Sequence, residues 1–71
     1  MIAEPDKVRI EILKLIVENE PIGWYAMERK LRVPRGDFRE GYTLMSYLKE
    51  LEEEGFVTRN DEDKYISNKI P

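Results

Sequence analysis

Residues 37–57 read DFREGYTLMSYLKELEEEGFV, an apolar helical stripe that runs through a glycine into β-forming residues. Leu44, Leu48 and Leu51 recur at i, i+4 and i+7, which places them on one face of a helix. Asp37 followed three residues later by Glu40 fits a capping box. In such a box the aspartate oxygen accepts an early orphan N–H and the glutamate reaches back to the cap. The helix is therefore expected to begin at Asp37, or at Tyr42 if its start is irregular. Gly41 would lie toward the core side, where the missing side chain lets a neighbouring helix approach. That role would offset a helix cost of about 1 kcal/mol against alanine. Gly55 supplies the left-handed residue that closes many helices. Phe56-Val57-Thr58 then has the character of a strand.

The preceding chain supplies two more helices. Asp6 is a plausible N-cap for a helix over Lys7 to Glu18. Val8, Ile12, Leu15 and Ile16 form one stripe, at the spacing of a core face. Ile10, Leu13 and Val17 form a second stripe roughly opposite the first. Two readings of it stay open: a homodimer contact, or cover by the hairpin and the C-terminal segment with Ile66 and Ile70. Asn19-Glu20-Pro21 ends this helix, because proline disfavours helix at the residue before it. Ile22-Gly23 is short and extended, room for a one-rung strand. The next helix is expected from Trp24 or Tyr25 to Arg32, with Trp24, Met27 and Leu31 on one face. Trp24 is assigned to the core, although its ring also suits stacking on a base or ligand. Val33-Pro34-Arg35-Gly36 makes the turn between helices. Phe56 to Arg59 and Lys64 to Asn68 are strand candidates around the turn-forming Asn60-Asp61-Glu62-Asp63. The pattern predicts an α+β fold over residues 1–71: a winged helix-turn-helix with three helices and a C-terminal β-hairpin wing. Residues 1–5 are read as a leader and residues 69–71 as a tail.

Composition narrows the function. A chain of 71 residues buries only a small core, so each apolar stripe has to be used. Neither cysteine nor histidine occurs. That removes disulfides, thiolate metal sites, the usual zinc ligand and the usual general base. No glycine-rich phosphate loop or metal-ligand cluster appears, so neither an enzyme nor a cofactor is expected. No run approaches the ~20 apolar residues of a membrane span, and the N-terminus lacks a signal-peptide pattern. A cytoplasmic protein without membrane contact is expected. Charged residues make up 38% of the chain and glutamine is absent, a balance that fits a thermophilic source as well as chance in a short chain.

The net charge of −3 argues by itself against nucleic acid. Its distribution points the other way. Residues 21–49 carry six basic and three acidic side chains, a balance of +3, while residues 1–20 and 50–71 balance at −2 and −4. With Leu44 at the centre of the buried face, Arg39, Tyr42, Ser46 and Lys49 point outward and Thr43 borders them. In a helix-turn-helix this face enters the major groove. Arg39 would reach guanine acceptors, and Ser46, Thr43 and Tyr42 would meet base edges or phosphates. Lys49, Arg35 and Lys30 would position the phosphates, with Arg59 and Lys64 touching backbone from the wing. The competing reading of each basic residue is ordinary solvated surface.

Ile12-Leu13-Lys14-Leu15-Ile16, Pro21-Ile22-Gly23-Trp24-Tyr25-Ala26-Met27 and Leu31 resemble the opening of PadR-like winged-helix regulators. Thr43 to Val57 looks like their recognition helix and its exit, and the similarity covers about residues 8–68. The resemblance implies a DNA-binding transcription regulator, usually dimeric, with its third helix in the major groove. Three differences stand beside it. Met45 replaces the usual tyrosine, the wing tip is acidic where the family's is basic, and these 71 residues show no counterpart of the long C-terminal helix. Double-stranded DNA is the expected partner, with a homodimer through Ile10, Leu13 and Val17. The alternative is a winged helix used for protein contact in a larger assembly, which the acidic chain ends favour.

Overall fold

The computed structural model describes residues 6–68. Three α-helices are followed by a two-stranded antiparallel sheet, the α+β layout of a winged helix with a C-terminal hairpin. Helix α1 spans Lys7–Asn19 and is capped by Asp6, whose carboxylate accepts from the Val8 N–H at 3.0 Å. Val8, Ile12 and Ile16 are buried and Leu15 is half-buried, the first stripe of the sequence. The second stripe is split. Leu13 packs against the core, whereas Ile10 and Val17 are 49% and 52% exposed. Leu13 borders Leu51 and Phe56, while the second strand of the hairpin also lies against α1. Ile66 on that strand is half-buried, and Ile70 lies outside the described residues.

Helix α2 spans Trp24–Lys30, two residues shorter than expected at its C-terminal end. Met27 is fully buried and Leu31 packs on the core. Trp24 is not a core residue: it is 41% exposed, in edge contact with Tyr25. The interior aromatics are instead Tyr47 and Tyr65, both almost fully buried. An indole N–H needs a partner when buried, and the first turn of a short helix leaves Trp24 at the periphery.

The segment before the third helix departs most from expectation. Arg35–Asp37 is a single 3-10 turn, followed by Phe38 in extended backbone. Helix α3 begins only at Leu44 and ends at Glu53, so the Asp37–Glu40 pair caps nothing. The cap is Thr43, which accepts from the Ser46 N–H while the Ser46 hydroxyl accepts from the Thr43 N–H. Gly41 is the cause. Its φ of +80° is a conformation that side-chain-bearing residues adopt only at a cost, and a right-handed helix cannot pass through it. It is exposed, and no atom lies within 4 Å of where a β-carbon would project, so it serves the turn rather than helix contact.

Leu44, Leu48 and Leu51 are buried as their spacing predicts, and Tyr47 joins them. At the C-terminal end Gly55 adopts φ +82°. The Phe56 N–H reaches the Leu51 carbonyl at 2.9 Å and the Gly55 N–H reaches that of Glu52 at 3.1 Å, the paired bonds of a Schellman motif. Strand β1 (Val57–Arg59) then pairs with β2 (Tyr65–Ser67) in the register Val57 to Ser67, Thr58 to Ile66 and Arg59 to Tyr65. The Asn60 side chain accepts from the Glu62 and Lys64 N–H groups and shapes the turn. Ile22 adds a single bridge to Tyr65, through bonds of 3.1 and 2.7 Å. This is the one-rung strand of the sequence reading, and it fastens the wing to the start of α2.

Candidate nucleic-acid interface

The outward face of α3 carries Met45, Ser46 and Lys49. Together with Glu52, Arg59 and Tyr65 they line a shallow groove of about 350 Å³ between the helix and the wing. Met45 is 45% exposed and Lys49 is exposed. The hydroxyls of Thr43 and Ser46 lie 3.2 Å apart within the cap, which fixes the first turn of the helix. Arg59 reaches into the groove from β1 and pairs with Glu52 at 3.3 Å. The Glu52 carboxylate holds its pKa above the ordinary arginine value.

Arg39 and Tyr42 belong to a different side. Both precede α3 instead of lying on it; Arg39 turns toward the start of α1 and Tyr42 toward Glu50 and Tyr47 of α3. The Arg39 guanidinium pairs with Asp6 at 3.0 Å and with Glu50 at 3.5 Å, and lies 4.4 Å from the Tyr42 ring centre. The Tyr42 hydroxyl donates to Glu50 at 2.8 Å. Arg9 of α1 binds the same Glu50 at 2.8 Å and also Glu54 at 3.0 Å. The Arg39 backbone N–H donates to the buried Tyr47 hydroxyl at 2.8 Å. Partial desolvation pushes Asp6 up, but the Tyr47 hydroxyl, the Val8 and Arg9 N–H groups and Arg39 outweigh it and leave the carboxyl below its ordinary pKa. Glu50 is lowered by the Tyr42 hydroxyl first, against some desolvation, and then by Arg39 and Arg9. The four side chains expected on one outward face therefore divide: Ser46 and Lys49 meet the wing, while Arg39 and Tyr42 close a charged seam between α1 and α3.

Lys30, Arg35, Lys49 and Lys64 form no ion pair among the described residues, nor do Arg29, Arg32 and, on α1, Lys7 and Lys14. Arg35 sits in the 3-10 turn. Lys30 and Lys64, distant in sequence, border one shallow depression with Tyr25 and Arg29. The charge balance of the middle segment signalled Lys30. The meeting with Lys64 depends on the bridge between Ile22 and Tyr65, which no local pattern announces. Arg29 is one of the six basic residues of the middle segment, and its i, i+4 spacing from Tyr25 on α2 places the two together.

Among the described residues no group of three or more His, Cys, Asp or Glu side chains is placed to hold a metal ion. None of the helices described is long and apolar enough to cross a membrane. No protein family, curated protein or solved structure matches the chain. Its class rests on its own architecture: three helices and a C-terminal hairpin in the order of a winged helix.

Proposed function

We propose that the protein binds double-stranded DNA as a small cytoplasmic transcription regulator of the PadR-like type that its sequence resembles. The outer face of α3 enters the major groove, with Thr43, Met45, Ser46 and Lys49 toward the bases. Lys30, Lys64 and Arg35 meet phosphates, and Arg59 follows the backbone from the wing. The observation that carries this reading is the partition of charge. Arg9 and Arg39 are neutralised by Asp6, Glu50 and Glu54 in the seam between α1 and α3; of the cations without an ion pair among the described residues, Lys7 and Lys14 lie on α1, and the other six (Arg29, Lys30, Arg32, Arg35, Lys49 and Lys64) lie between α2 and the base of the wing. Arg39 then acts as a brace for the chain entering α3 and does not read bases.

The test is binding to random-sequence duplex DNA across a salt series. Affinity should fall steeply with salt, and each lost phosphate contact should reduce the log–log slope by about 0.9. Lys49→Glu combined with Lys30→Glu should abolish binding and leave the fold intact, since both residues are exposed and form no ion pair among the described residues. Undetectable binding at low salt, or binding indifferent to these changes, would favour a second reading. In that reading the winged helix is a protein-contact module, and the exposed Ile10 and Val17 on α1 are its docking positions. The same two residues, with Leu13 behind them, are the proposed contact between two copies of a DNA-binding homodimer.

A further inference from the structure

Beside the base of the wing, away from the α3 groove, Tyr25, Arg29 and Lys30 of α2 and Lys64 ahead of β2 surround a depression of about 630 Å³ floored by Gly23 and Ala26. Three cations line it and no carboxylate does. The Lys64 stem lies across the start of α2, its Cγ 4.0 Å from where a β-carbon on Gly23 would project. Tyr25 is 68% exposed, the most open of the large hydrophobic side chains described. Its one aromatic neighbour, Trp24, meets it at 67° with ring centres 5.7 Å apart. A steeply inclined neighbour covers at most one face of a ring, so a flat face of Tyr25 stays available beside the cations.

A duplex offers this site phosphates only, because its bases are stacked inside the helix. An unpaired nucleotide offers both halves of what the site can hold, a planar base for the tyrosine and a phosphate for the cations. We infer that this depression holds a nucleotide of single-stranded nucleic acid, its base stacked on Tyr25 and its phosphates held by Arg29, Lys30 and Lys64. The contact shares Lys30 and Lys64 with the proposed duplex footprint and differs from it in the Tyr25 stack, so the response to Tyr25 substitution tells the two apart.

Trp24 is the chain's only tryptophan and touches Tyr25, so its fluorescence reports on the site. The experiment titrates the protein with an oligothymidylate of about twenty nucleotides, long enough for the site sizes usual in such binding. Thymidine monophosphate, blunt duplex and polyglutamate serve as parallel probes. The oligonucleotide should quench Trp24, with affinity that declines as salt rises. Tyr25→Ala should weaken it about tenfold, the scale of one lost stack, while Tyr25→Phe preserves it. Lys64→Glu should weaken it and flatten the salt dependence. Blunt-duplex affinity should not respond to Tyr25→Ala, which separates this site from the α3 reading. The proposal is overturned if the oligonucleotide does not bind at low salt, or if Tyr25→Ala binds it as the parent does. Equal binding of polyglutamate would also overturn it, since that marks an indifferent polyanion patch. Binding of thymidine monophosphate as tight as that of the oligonucleotide would make the occupant a free nucleotide and overturn the polymer assignment.

Discussion

Tyr47 shows how one hydroxyl organises the turn into α3. The ring is fully buried between the edges of Phe38 and the tilted ring of Tyr42, and its oxygen accepts the Arg39 N–H. Tyr47→Phe keeps the packing and strands that donor, so it should cost about 1–2 kcal/mol, read as a lowered denaturant midpoint with an unchanged slope. The burial of Tyr47 is legible from its place between Leu44 and Leu51. Its hydrogen bond is not, because the donor lies eight residues back in irregular chain. Gly41 makes a complementary case. A methyl group there meets nothing, yet Gly41→Ala should destabilise by about 1–2 kcal/mol, since the cost lies in the positive φ and not in crowding. Trp24 was misread at this same scale: apolar spacing put it with Met27, but spacing does not say where a short helix enters the core.

At the level of elements, the third helix is legible at one end and obscure at the other. Gly55 and the β-forming residues after it mark the exit without ambiguity. At the entrance, Asp37-x-x-Glu40 and Thr43-x-x-Ser46 both resemble caps, and only the left-handed turn at Gly41 decides for the second. Thr43→Ala should cost about 1 kcal/mol, whereas Asp37→Ala should fall within about 0.5 kcal/mol of the parent in chemical denaturation. The seam between α1 and α3 adds a dependence on pH. Asp6 and Glu50 both have native pKa values below their ordinary ones. Their contribution is therefore complete above the usual carboxylate range, near about 4, and is lost as pH falls through the lower native values. Asp6→Asn together with Glu50→Gln should flatten the acid limb of a stability–pH profile. Asparagine keeps the cap on α1, so the change reads the seam and not the helix start.

For the molecule as a whole, order and kind of element were visible in the sequence, whereas the grouping of charges was not. The middle segment is basic, but Arg39 was assigned to the wrong side because helix was extended through a chain that turns. Residues of both terminal segments then neutralise it, a pairing that only tertiary structure brings about. If a second copy docks on α1, sedimentation should show a concentration-dependent dimer that Ile10→Glu with Val17→Glu abolishes; a monomer throughout would leave those residues to another protein or to water. The bond pair joining Ile22 to Tyr65 has its own kinetic consequence. The wing can lift from the body only by releasing both amides at once, so in native-state hydrogen exchange Ile22 and Tyr65 should share a single opening free energy. The Lys64 ammonium is carried on the same latch, so any partner gripping it slows the exchange of two amides it never touches.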